Sequence, residues 1–406
     1  MTRDPRCARL LALAVAASLL PACGGHGAYT REGVSLAKQR LDGIKAATEY
    51  DMARQAFLAG DLDKAMKKTT AALALTEENA ALHVLRGRIH IERGSIGEAL
   101  LSLRRALEID PESVDGHAFL GVVHERLGEP EQALAAFNAA AALDPYNAQH
   151  TIAAGEMLID LGRVGEARSL LSGSVAAEHS PGVQQLLGHV ALIESDAAGA
   201  CLYFNKARLL APDDGAILED LAAAQVAAGR YAEADSNLIH LLRDPQNAGR
   251  RDLLHMRAEC LMALDRPVDA REIYRGLILG AGASDAAAWV GLGRTAFTLR
   301  DENEQRRAAS RVVSIAPDDP NGYVLWAMCH LAAGEPGAAL EKLDAGLLRA
   351  RRSADLLGAR AMVLMELGRG AEALNSAQAA LEIDPANQAC LAIAEALGEF
   401  AAAPTN

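Results

Sequence analysis

Aromatic side chains are scarce in this chain: 4% of its 406 residues are Phe, Trp or Tyr, although 50% are hydrophobic. Sheets draw stability from aromatic and β-branched residues packed across strands, so the composition disfavours a sheet-built fold. Ala and Leu supply the apolar content, which suits helices packed closely on helices. A basic excess is missing too. The formal net charge is −13, which argues against a nucleic-acid backbone as partner and for a self-repelling, soluble surface. Catalytic signatures are absent: there is no His-Glu-x-x-His, no Gly-x-x-x-x-Gly-Lys-Ser/Thr and no Gly-x-Ser-x-Gly. Six cysteines form no Cys-x-x-Cys, and Cys201, Cys260, Cys329 and Cys390, spaced 59, 69 and 61 residues apart, read as small buried apolar residues. No enzyme activity, cofactor or metal site is expected from this inventory.

What is present is a repeat. Residues 110–145 begin and end on Asp-Pro, and Pro111 and Pro145 lie 34 residues apart. Between them stand Leu120-Gly121, Gly128, Ala133, Phe137 and Ala140. Small residues such as Gly121 and Ala133 let two helices approach, Gly128 ends the first, and Pro145 stops the second. This set and spacing resemble the tetratricopeptide repeat, a helix–turn–helix unit of 34 residues. The resemblance implies an all-α, right-handed superhelical solenoid. One unit cannot bury its apolar faces alone, so neighbours are required.

Registering the chain on the same landmarks gives ten units starting at residues 46, 80, 114, 148, 181, 215, 251, 286, 320 and 354. The phase slips at 172–182, 243–251 and 279–284, where Gly, Ser, Pro and Asn cluster; these read as bends or soft joints. The expected organisation is a leading capping helix at 32–45, repeats at 46–180, 181–248 and 251–387, and a last capping helix and tail at 388–406.

The N-terminus reads as an export signal over 1–22. Arg3, Arg6 and Arg9 precede an apolar run from Leu10 to Leu20, too short to span a bilayer as a lasting helix. Leu20-Pro21-Ala22-Cys23 resembles a bacterial lipobox, which implies diacylglycerol on the Cys23 thiol, cleavage before it and acylation of the new amine. Residues 23–31 then form the lipidated cysteine and a tether. Gly24, rather than Asp, implies the outer over the inner membrane, with the repeats in the periplasm.

The histidines His83 and His90, and His117 and His124, occupy the fourth and eleventh positions of two consecutive repeats. Residues seven apart sit about 10 Å apart along a helix, too far to share one ion, so these rings read as packing residues. The resemblance further implies a concave groove lined by positions 2, 5, 9, 12 and 13 of each first helix. In the N-terminal half these are Tyr50, Arg54, Val84, Arg88, Glu92, Glu125, Arg126, Glu156 and Asp160, a mixed and charged set. In the C-terminal half they are Val290, Arg294, Phe297, Val324, Met328, Leu331, Met362 and Met365, an apolar set suited to an amphipathic helix or apolar peptide. The alternative is that some of these are core residues or are covered by the last helix, 388–402. A lipid-anchored, non-catalytic scaffold that binds protein segments, in assembling or localising an envelope complex, is the expected function. A self-associating structural protein is the second reading, and a hydrolase hidden in the array is the third.

Overall fold

A computed structural model describes residues 28–402. The signal sequence, Cys23 and the start of the expected tether lie outside the described residues. Twenty-one α-helices and one short 3-10 turn make up the rest, with no strand among the described residues. The chain divides into two compact units, one ending at Ala177 and the other beginning at Glu178. The first holds α1 (Ala28–Leu58), α2 (Leu62–Leu73), α3 (Ala80–Glu92), α4 (Ile96–Ile109), α5 (Val114–Arg126), α6 (Pro130–Leu143), α7 (Ala148–Asp160) and α8 (Val164–Gly173). The second holds α9 (Pro181–Ile193), α10 (Ala197–Leu210), α11 (Gly215–Ala227), α12 (Tyr231–Leu242), α13 (Arg251–Ala263), α14 (Pro267–Leu277), α15 (Ala286–Thr298), α16 (Glu302–Ile315), α17 (Pro320–Ala332), α18 (Pro336–Arg349), α19 (Ala354–Glu366), α20 (Gly370–Leu381) and α21 (Gln388–Ala402).

Within each unit, consecutive helices pack as hairpins and the hairpins stack into a solenoid. Helix starts follow from side-chain caps: Asn79, Ser113 and Asn147 each accept a hydrogen bond from an amide two or three residues on. The turn inside each hairpin needs one residue with positive φ. Gly60, Gly94, Gly128, Gly162, Gly229, Gly334 and Gly368 supply it at the fifteenth position, with φ of 70 to 77°. Ser195, Asp265 and Arg300 adopt the same conformation at that position, at 63, 56 and 57°.

The fourth position anchors each hairpin to the turn before it. His83 and His117 lie 2.9 Å by Nε2 from the carbonyl oxygens of Glu77 and Pro111, each six residues back. Trp289 Nε1 donates to Ala283 at 3.0 Å and Tyr323 Oη donates to Pro317 at 2.9 Å in the same geometry. A carbonyl only accepts, so both histidines carry the proton on Nε2 and stand in for Trp and Tyr. The eleventh position also recurs: His124 and His330 meet Glu129 and Glu335 across the hairpin turn, at 2.6 and 2.8 Å.

First helices of neighbouring hairpins touch, as α3 does α5 and α15 does α17, while second helices make no comparable approach. The first helices therefore form the inner layer. Phe137 and Phe204 fill the space between the two helices of their own hairpins: a Cβ added at Gly121 or Gly188 would lie 2.5 Å from the ring. In the seventh repeat Ala258 replaces that glycine and is fully buried. Its methyl closes the slot, and Tyr274 instead lies against Gly291 of the next hairpin, where an added Cβ would sit 2.2 Å from Cζ.

Two expectations about the organisation need correction. Residues 32–45 are not a separate cap over the first repeat. They are part of α1, which runs unbroken from Ala28 to Leu58, and residues 32–41 are exposed throughout. No proline interrupts this stretch, and neither Gly33 nor Gly43 takes the positive φ that turns the chain at Gly60. Likewise, the slips at 243–251 and 279–284 do not divide the second unit. Leu241 and Leu253 share one core cluster across the first, and Arg257 donates to Asp235 at 2.9 Å. Across the second, Tyr274, Leu277, Ala288 and Trp289 share another, and Arg251 is ion-paired with Asp285.

Candidate functional site

The inner layer of the second unit presents α13, α15, α17 and α19 side by side. Helix α21 packs on α19 and α20 at the end of the stack, in the place of a further first helix. Leu397 and Ile393 join the core clusters there, so α21 extends the array instead of lying along the apolar inner positions.

Of the expected groove residues, Phe297, Met362 and Met365 are exposed by 44, 51 and 38%. Arg294 is exposed and donates from Nη2 to Asn321 Oδ1 at 3.3 Å. Val324, Met328 and Leu331 are half-buried, with Val324 and Leu331 packed against the core around Tyr323 and Ala327. Val290 is 8% exposed and belongs mainly to the core beside Trp289 and Leu292. The apolar surface on offer is thus narrower than the positions suggest, and it is carried chiefly by α15 and α19.

Next to it lies a cleft of about 500 Å³ between α13, α15 and the start of α17, lined by His255, Glu259, Met262, Tyr274, Arg294 and Asn321 among others. Tyr274 reaches it because its ring is displaced toward Gly291, and its phenol is pushed up to about 12 by burial and then by Glu259. It is therefore a neutral donor at any physiological pH. His255 Nε2 sits 3.0 Å from Asp285, which also pairs with Arg251 and caps α15 through the Ala288 amide at 3.0 Å. Burial works to raise the Asp285 carboxyl, but the hydrogen bonds from Arg251, Ala288 and His255 outweigh it and hold the group at about 2. Among the described residues no group of three or more His, Cys, Asp or Glu is arranged to hold a metal ion.

These cleft residues were within reach of the sequence. His255, Glu259, Met262 and Ala263 occupy positions 5, 9, 12 and 13 of the seventh repeat, the same positions that identified Arg294 and Met362 in later ones. Tyr274 was not within reach, because its displacement depends on the Ala258 methyl.

The inner layer of the first unit differs. The Arg88 guanidinium lies between the rings of Phe57 and Phe119, 4.9 and 4.6 Å from their centroids. Tyr50, Arg54, Val84 and Asp115 line a small cleft of about 130 Å³ with it. Arg126 donates to the Ile91 carbonyl at 3.1 Å. Further along, burial and then the charges of Glu125 and Asp160 push the Glu156 carboxyl above its ordinary value. The four remaining cysteines are all buried and unpaired, and burial pushes the Cys260 and Cys329 thiols up to about 11. No described helix is long and apolar enough to cross a membrane.

Family models described as TPR repeat and tetratricopeptide repeat match residues 87–128, and residues 119–181 and 324–388, respectively. Among solved structures, pilF of Pseudomonas aeruginosa is 27% identical over 49% of this chain and 90% of its own, with a TM-score of 0.41. PilW, described as a widely conserved type IV pilus biogenesis factor, is 22% identical over 49% of this chain and 93% of its own, with a TM-score of 0.44. A chain of the APC/C hetero-tetramer Cut9–Hcn1 is 16% identical over 91% of this chain and 87% of its own, with a TM-score of 0.43. No curated protein matches the chain.

Proposed function

Because this chain is a tetratricopeptide-repeat protein, and such repeats serve as protein-interaction scaffolds, we propose that it is a non-catalytic scaffold, lipid-anchored through Cys23 in a bacterial cell envelope. Its inner layer holds a segment of a partner protein for assembly or localisation of an envelope complex. The observation that supports a groove reading is the exposure of Phe297, Met362 and Met365 on first helices beside a polar cleft. Exposed methionines adapt to varied apolar side chains, while Tyr274, Arg294 and Asn321 offer donors and acceptors to a segment's polar edge. An amphipathic segment fits both. Anchoring by several acyl chains confines the scaffold to the membrane plane and raises its effective concentration for partners there. The outer membrane, with the repeats in the periplasm, is the favoured location.

The test is affinity capture from cross-linked envelopes with wild type and a Met362→Glu, Met365→Glu variant whose circular dichroism is unchanged. A partner captured by wild type and lost in the variant supports the groove. Partners that persist unchanged refute it. Separately, Cys23→Ser should move the protein from the membrane fraction and abolish labelling by a fatty-acid analogue; retention of the label would refute the anchor.

A further inference from the structure

The overhanging half of α1 carries an apolar stripe that the first repeat does not use. The buried residues of α1 are Ala46, Ala53 and Ala56, all in its C-terminal half. Before them, Val34, Ala37, Leu41 and Ile44 recur at intervals of three and four and so share one face. Val34, Leu41 and Ile44 are 61, 50 and 66% exposed. At 100° per residue this stripe lies roughly 130° around the helix from the buried alanines, so it is not a continuation of the face that α2 covers.

The charges around the stripe are ordered. Lys38 and Lys45 border it on one side and Arg40 on the other, whereas Glu32 and Asp42 fall outside it. None of the three basic residues has an ion-pair partner among the described residues. This arrangement argues against a second copy as the occupant. In a paired coiled coil with Val34, Ala37, Leu41 and Ile44 at the seam, the flanking positions would hold Lys38, Arg40 and Lys45. Two copies would then set cation against cation. Those flanks fit an anionic lipid surface, with the aliphatic stripe sunk at the headgroup boundary and the basic side chains extended to phosphates.

We propose that residues 32–45 of α1 form an interfacial helix that lies on anionic lipid, independently of acylation at Cys23. The test uses the unacylated chain from residue 24, which keeps every described helix. Its sedimentation with phosphatidylglycerol–phosphatidylethanolamine vesicles is compared with that on phosphatidylcholine vesicles. Wild type should bind the anionic vesicles, prefer them to phosphatidylcholine, and lose affinity as salt rises. Each basic residue near the surface is worth roughly fivefold, so Lys38→Gln with Lys45→Gln should weaken binding about 25-fold. Leu41→Glu with Ile44→Glu should abolish it without altering helicity, because both side chains are exposed. Failure of wild type to bind anionic vesicles overturns the proposal, as does binding that both variants retain. Self-association of wild type that Leu41→Glu, Ile44→Glu abolishes, with no vesicle binding, overturns it in favour of a dimer. None of these outcomes bears on Cys23, which the tested chain lacks.

Discussion

Replacing Gly291 with Ala puts opposing effects in one position. Alanine in a helix interior is favoured over glycine by about 0.5–1 kcal/mol, so an unobstructed site would gain stability. Here the new methyl would lie 2.2 Å from Tyr274 Cζ and 2.3 Å from Cε1, far inside contact distance. The ring is 4% exposed, and the slot it would otherwise enter is closed by Ala258. Overpacking of this kind costs about 1–3 kcal/mol, so the net effect should be a loss centred at roughly 1.5 kcal/mol, with about 2.5 as its upper bound. Both tryptophans, Trp289 and Trp326, lie in the second unit, so tryptophan fluorescence during urea unfolding reports that unit alone. With an m-value of about 3 kcal/mol per molar, the midpoint should fall by roughly 0.5 M. Adding Tyr274→Leu should make the second change less costly than its single-variant effect, because the smaller side chain vacates the clash. As a control, Gly43→Ala in α1 meets nothing within 4 Å and should stabilise the first unit. A Gly291→Ala midpoint equal to or above wild type would show that the ring moves freely and that the closed-slot argument is wrong.

Other expectations follow from single contacts. Ser195→Gly and Arg300→Gly relieve left-handed backbone and should each stabilise by about 1 kcal/mol in the same urea assay. Burial lowers the His83 and His90 imidazoles below their ordinary 6.5. The unfolded chain binds those protons more readily, so this contribution to stability is present above pH 6.5 and is lost as pH falls toward the folded values. Faster hydrogen exchange in α3 and α4 at pH 5.5 than the intrinsic rate predicts would confirm it, and His90→Gln should blunt the change. Asp285→Ala removes a cap, the ion pair with Arg251 and the contact with His255 Nε2, and should cost about 2–3 kcal/mol at pH 7. The depressed Asp285 carboxyl stabilises above its unfolded value of 3.8, and that contribution disappears as pH falls toward about 2. Finally, the native protein should react with no aromatic disulfide reagent at Cys201, Cys260, Cys329 or Cys390 until denaturant is added.

The helical repeat was legible because its small and turn residues recur every 34 positions, and each recurrence has a steric cause. The packing role of His83 and His117 was legible for the same reason; the carbonyl that each ring engages was not, since it depends on where the preceding turn places its oxygen. The absence of any proline from Ala28 to Leu58 permits the continuity of α1 but does not specify it, and the repeat phase alone suggests a break at residue 45. Exposure within the groove was only partly legible. Val290 and Met362 occupy comparable first-helix positions, but one is held against Trp289 and the other faces outward.

An inner layer in contact and an outer layer spread apart make each unit a spring with its neutral line on the inside. Bending can open or close the wedges between second helices while the first-helix contacts act as hinges. A bound segment would then be gripped by elastic recoil as well as by contacts. Tension on the partner would be stored as curvature across many hairpins and would not rupture any one of them.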